Sequence, residues 1–180
     1  METLRRVFAA APLPAEIRLA LAAHTASMEI PGKTVPPENW HVTLRYLGRI
    51  DRIVFERFLH GISGVIDHKP FRIGIDGLGA FPNSRRATVV WAGISAGAER
   101  LSTLNQIAEG AAAGAGLAPE ERPFHPHLTL SRVRPPEDVQ ALIGGGPRLN
   151  WVCDRVVVYE SRQEKGGVRY DPLETIGLGG

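Results

Sequence analysis

His41-Val42-Thr43-Leu44 and His127-Leu128-Thr129-Leu130 are the two stretches that decide how this chain is read. Each alternates polar and apolar residues, the pattern of a half-buried β-strand, and side chains two residues apart on a strand share a face. His41 and Thr43 therefore share one face, with Val42 and Leu44 on the other. His127 and Thr129 stand to Leu128 and Leu130 in the same way. The apolar pairs are expected beneath a sheet, and each imidazole–hydroxyl pair above it. One His-x-Thr in a strand is uninformative, because a lone histidine is more often structural than catalytic. Two copies, each followed by leucine, are much harder to explain as packing.

The flanking sequence strengthens the pairing. Before the first motif come a short apolar strand from Arg5 to Ala11, a helix opened by Pro14, and a loop from Ile30 to Pro37. After it, Asp51 is placed to cap a helix carrying Val54, Phe55, Phe58 and Ile62, and a strand follows from Phe71 to Ile75. The second motif has the same surroundings. A strand over 87–94 and a helix carrying Leu101, Leu104 and Ile107 precede it. Pro136-Glu137-Asp138 is expected to start a short helix, and strands are expected from Cys153 to Tyr159 and over 168–178. The order strand–helix–loop–strand–helix–strand thus occurs twice. The expectation is one α+β domain over 1–180, made by internal duplication, with repeat halves of about 1–80 and 85–180. Two similar, mainly antiparallel sheets would face a central cleft with helices on the outside.

Composition narrows the classes. The 180 residues are 43% hydrophobic and 22% charged, as in a soluble globular protein. A net charge of +2 is too small for coating a long nucleic-acid backbone but suits a grip on one or a few phosphates. The single cysteine, Cys153, excludes an internal disulfide framework and fits a cytoplasmic setting. Near the N-terminus the apolar run after Arg5-Arg6 is cut by Pro12 and Pro14, so it does not read as a signal peptide. No membrane association is expected.

The paired motifs suit phosphate-ester chemistry. In-line attack on phosphorus needs a base for the nucleophile's proton and an acid for the departing oxygen. Histidine titrates near neutrality, so two can share these tasks. The hydroxyls of Thr43 and Thr129 can donate to the non-bridging oxygens, where charge develops. This logic needs no metal and no cofactor. His125 forms His-Pro-His with His127, but a catalytic zinc site needs a third protein ligand and none has convincing spacing. Strict alternation puts Arg45 on the His41 face, as a solvated strand-end residue. It puts Arg132 opposite His127, unless the strand bulges near Ser131. Trp40 and Phe124 are read first as core residues and only second as stacking platforms for a base.

On these residues the chain resembles the two-histidine (2H) phosphoesterase superfamily, and within it the bacterial and archaeal RNA 2′,3′-cyclic phosphodiesterases, also described as 2′-5′ RNA ligases. The resemblance runs from Arg6-Val7-Phe8-Ala9 through the two motif blocks to Ser161-Arg162 and Gly167-Val168-Arg169-Tyr170. It implies a two-lobed fold with a central cleft and no cofactor, acting on RNA ends or cyclic nucleotides and leaving a 2′-phosphate; a monomer is expected, though no motif of the sequence reads out the oligomeric state. It implies His41 as proton donor and His127 as proton acceptor, with Thr43, Thr129 and Arg132 binding substrate. Reversible 2′-5′ joining of tRNA halves and non-catalytic RNA-end binding are the alternatives.

Overall fold

A computed structural model describes residues 5–180; residues 1–4, at the start of the expected first half, lie outside the described residues. In chain order the elements are β1 (Arg5–Pro12), α1 (Ala15–Ala26), β2 (Lys33–Thr34), β3 (His41–Ile50), α2 (Arg52–Ile62), β4 (Phe71–Phe81), β5 (Ala87–Ala96), α3 (Ala98–Gly114), β6 (His127–Glu137), β7 (Leu149–Cys153), β8 (Arg155–Glu164) and β9 (Gly167–Gly177). The expected helices form where their start signals stand. Pro14 precedes α1, and the Asp51 carboxylate accepts the Val54 N–H at 2.9 Å, closing an N-cap of a kind that contributes about 1 kcal/mol.

All strand pairings are antiparallel, in the order β7-β4-β5-β6-β3-β1-β8-β9, with β2 added on β6. The two motif strands meet at the centre, where Val42 pairs with Leu128. To one side lie β1, β8 and β9; to the other lie β5, β4 and β7. Strands from the two sequence halves are therefore interleaved. β4, from the first half, pairs with β5 and β7, and β8, from the second, pairs with β1. The sheets on the two sides are continuous through the β3–β6 joint.

The apolar side of the motifs is buried as the alternation requires: Val42 and Leu128 are 0% exposed, Leu44 and Leu130 2%. They share one core with Ile17 and Leu21 of α1, Phe58 and Ile62 of α2, and Leu101 and Leu104 of α3. The helices thus cover one face of the sheet, and the histidine face is left free.

Two local expectations are corrected. No helix starts at Pro136. β6 runs on to Glu137, and only a single 3₁₀ turn, Gln140–Leu142, follows. The Asp138 carboxylate takes the Gln140 N–H at 2.9 Å, and the glycines at 144–146 close the segment within one turn, too short to offset the cost of nucleating a helix. Val139 instead joins a small second cluster with Ala87, Val90 and Val133. Within the loop over 30–37, Lys33 and Thr34 pair with Arg132 and Ser131 as β2.

That pairing depends on Gly32. Its φ is +85°, and a Cβ there would run into the Arg132 carbonyl. Gly32→Ala is expected to lower stability by ~2 kcal/mol or more, from left-handed backbone strain plus the clash. Gly64→Ala, where a side chain meets nothing, is expected to be close to neutral. Urea unfolding of both variants checks this; equal stabilities would contradict it.

Candidate active site

Each motif strand carries one extra residue directly after its threonine. Along β1–β3, Ala10 pairs with Thr43 and the next residue back, Ala9, pairs with Arg45, leaving Leu44 over. Along β5–β6, Trp91 pairs with Thr129 and Val90 with Ser131, leaving Leu130 over. A bulge of this kind shifts every later side chain to the other face. The burial of the first seven residues is the same in both strands: two half-buried cleft residues alternate with buried ones, then two buried residues follow in succession.

The bulge settles both arginines. Arg132 returns to the face of His127 and Thr129, as a break near Ser131 would require. Ser131 is turned inward at 0% exposure, its hydroxyl donating to the Pro31 carbonyl. Arg45 is the counterpart of Ser131, so it leaves the His41 face. This corrects the expectation of a solvated strand-end residue: Arg45 is 6% exposed and lies 2.9 Å from Glu109 of α3 and 2.8 Å from Glu120. Tyr46, the counterpart of Arg132, faces the cleft.

The result is a cleft of about 280 Å³ whose walls include His41, Thr43, Tyr46, His127, Thr129 and Arg132. Every sequence-expected site residue is among them. Phe8, Asn39, Ser161 and Tyr170 join them from β1, the turn before β3, β8 and β9. Phe8, Ser161 and Tyr170 fall in the stretches that carried the family resemblance. Asn39 acts mainly through its backbone, which a reading of side chains does not reach. Trp40, at 6% exposure, belongs to the core as expected, and Phe124 packs against it.

The two imidazoles are held alike. Nδ1 of His41 is 2.7 Å from the Asn39 carbonyl, and Nδ1 of His127 is 2.7 Å from the His125 carbonyl. A carbonyl only accepts, so Nδ1 carries the proton in both rings and Nε2 holds the lone pair. The Thr43 hydroxyl then donates to Nε2 of His41 at 2.9 Å. Aromatic rings wall each histidine. Phe8 and Tyr170 lie 4.8 and 5.4 Å from His41, centroid to centroid. Phe81 lies 5.0 Å and Trp91 6.3 Å from His127.

This enclosure governs ionisation. Burial pushes the His41 pKa down to about 4, against a smaller raising effect of the Asn39 carbonyl; the positive charges of His127 and Arg132 lower it further. His127 is also lowered, by burial first and then by His125 and Arg132, while the His125 carbonyl opposes this. Both rings are therefore suited to be neutral in the free protein near neutral pH. An anion between them reverses the balance, because it favours the imidazolium. As to metals, among the described residues no group of three His, Cys, Asp or Glu side chains stands close enough to hold an ion, so His125 and His127 lack a third partner of that kind. Among them, too, no helix is long and apolar enough to cross a membrane.

The sequence matches the 2′-5′ RNA ligase superfamily over residues 8–165. The chain belongs to this family. Among curated relatives, the RNA 2′,3′-cyclic phosphodiesterase of Escherichia coli is 33% identical over 178 residues, 97% of each chain. That of Thermus thermophilus is 34% identical over 97% of this chain and 91% of its own. The Aeropyrum pernix protein of the same name is 38% identical, over 67% of this chain and 66% of its own length. Among solved structures, E. coli LigT complexed with 3′-AMP superposes with a TM-score of 0.85 at 30% identity, covering 97% of this chain and 98% of that one. Apo LigT gives 0.82 at 29% identity, covering 99% of both chains.

Binding of inorganic phosphate at pH 5.5 is expected to draw protons onto the protein. His41, with a pKa near 4, is mostly neutral there when free and gains a proton as the anion raises its pKa. Titration calorimetry in buffers of different ionisation enthalpy reads this directly; proton release, or no exchange, would contradict it. The same depression means that the unfolded chain binds more protons than the folded one between about pH 6.5 and 4, so stability should fall as pH drops through that window.

Proposed function

We propose that this chain hydrolyses 2′,3′-cyclic phosphates on RNA ends or nucleotides to 2′-phosphomonoesters, by metal-independent acid–base catalysis between His41 and His127. The observation that carries this is the pair of imidazoles, each tethered through Nδ1 to a backbone carbonyl so that Nε2 is the atom left for proton transfer, in one cleft with Thr43, Thr129 and Arg132. The relatives' shared name, RNA 2′,3′-cyclic phosphodiesterase, supports the substrate class.

In this reaction His127 takes a proton from water as its oxygen bonds to phosphorus. The bond from phosphorus to the 3′ oxygen breaks, and His41 delivers a proton to that oxygen. A 2′-phosphate and a free 3′-hydroxyl result. This division of roles follows the family pattern. The anionic substrate supplies the charge that keeps His41 protonated despite its enclosure. Thr43, Thr129 and Arg132 bind the non-bridging oxygens, where donors are most effective as charge accumulates. Arginine is the apt cation because its planar fork matches two oxygens at once.

Tyr170 also borders a larger groove of about 930 Å³, walled by Arg18, Tyr159, Pro172 and the start of α1. It offers room for the body of an RNA beyond its terminal phosphate.

The test is an oligonucleotide ending in a 2′,3′-cyclic phosphate, incubated with the protein and a chelator. The expected product is a 2′-phosphate, formed at the same rate as without chelator. A 3′-phosphate product, or dependence on added metal, would overturn the mechanism.

A further inference from the structure

We propose that Arg6 and Arg49, on the cleft face beyond Phe8 and Tyr46, form a second phosphate site, which takes the 5′-phosphate that links the terminal nucleotide to the rest of an RNA. The proposal rests on the two-histidine reading above and deepens it: a nucleotide with a 5′-phosphate is held at two points, a nucleoside cyclic phosphate at one.

The pair is placed by a second bulge in β3. Val7 pairs with Gly48 and Phe8 with Tyr46, leaving Leu47 over, and Gly48 has a φ of +76°. Glycine adopts that left-handed conformation without steric cost. The extra residue turns Arg49 to the side that Tyr46 faces, where regular alternation would put it under the sheet with Leu47. Along β1, Val7, Ala9 and Ala11 belong to the core and Phe8 to the cleft, so Arg6 follows Phe8. Arg6 and Arg49 stand directly opposite each other, and both are exposed.

Like charges in that position repel and weaken a sheet. The nearby β8–β9 hairpin relieves such charge with acids: Arg162 lies 2.9 Å from Glu160 and 3.2 Å from Asp171, and Arg169 lies 2.8 Å from Glu164. Among the described residues, neither the Arg6 nor the Arg49 side chain has an ion-pair or hydrogen-bond partner. Glu160 pairs with Val7, on the core side of β1, and is taken by Arg162. Two unpaired guanidiniums held side by side suit an anion with several oxygens, which removes their repulsion as it binds.

The position fits the substrate. His41 protonates the departing 3′ oxygen, so the ribose that carries this oxygen lies on the His41 side of the cleft, bordered by Phe8, Tyr46 and Tyr170. Arg6 lies four residues beyond Ala10, the partner of Thr43, which is about 13 Å along β1. One nucleoside spans that interval once the long arginine side chains reach back, and its 5′-phosphate meets them. The groove beside Tyr170 has room, but its walls carry Glu16, Glu38 and Asp154 as well as Arg18 and Arg155. That mixture attracts a phosphate less than two unpaired arginines do.

The experiment compares three substrates: a nucleoside 2′,3′-cyclic phosphate, the same compound with a 5′-phosphate, and a dinucleotide ending in a cyclic phosphate. The wild type is expected to show a higher kcat/KM on the second and third than on the first. Arg6→Gln and Arg49→Gln should each lower kcat/KM on those two about tenfold more than on the first, the scale of one hydrogen bond to a charged group. The wild-type preference should narrow at high salt. Equal losses on all three substrates would mean that the arginines serve the fold or the cleft in general, and would overturn the proposal. So would a wild type that gains from the second nucleoside of the dinucleotide but not from the 5′-phosphate alone. A selective loss in Arg18→Gln instead would put the RNA in the groove beside Tyr170 and overturn it too. A wild type inactive on all three would remove the hydrolase reading itself.

Discussion

The site depends on one extra residue in each motif strand. A regular strand would keep His41, Thr43 and Arg45 on one face, and would turn Arg132 away from His127 and Thr129. The bulges at Leu44 and Leu130 change both outcomes together. They bring Tyr46 and Arg132 into the cleft and send Arg45 and Ser131 under the sheet. Once inside, each buried polar side chain needs partners, because a desolvated charge without them is costly. Arg45 finds Glu109, Glu120 and the Ala118 carbonyl; Ser131 finds the Pro31 carbonyl. The same polar contacts tie the motif strands to α3 and to the loop before β3, so the bend that shapes the cleft is also anchored to the fold.

The site then follows from elementary constraints. Buried apolar residues beneath the motifs fix which face is free. Backbone carbonyls two residues upstream fix which ring nitrogen carries the proton. Aromatic walls exclude water and push both imidazoles towards neutrality. An enclosed, neutral pair flanked by two hydroxyls and a guanidinium is prepared for an anion, whose arrival supplies the charge that one imidazole needs to become an acid.

The two-residue period made much of this legible. It identified Val42, Leu44, Leu128 and Leu130 as core and His41, Thr43, His127 and Thr129 as cleft, and Asp51 marked the start of α2. What escaped it has physical causes. A bulge adds a residue without a distinctive side chain, so Leu130 and Leu44 look like ordinary strand positions, and Arg45 was read onto the wrong face. The interleaving of β4 and β8 between sequence halves depends on contacts far apart in the chain, which local patterning does not encode. Asn39 and His125 serve through their carbonyls. The ring clusters of Phe8 with Tyr170, and of Phe81 with Trp91, come from strands distant in sequence and adjacent only in the sheet.

The central claim is that His41 and His127 act as one unit on the same phosphorus. Groups that act together in one transition state are strongly non-additive. The most direct measurement is kcat for cyclic-phosphate hydrolysis by His41→Ala, His127→Ala and the double variant. Each single change should cost at least ~10²-fold, the lower scale for a positioned acid or base, and the double variant should be scarcely slower than the worse single one. Near-normal activity in either single variant, or losses that multiply in the double, would contradict the account.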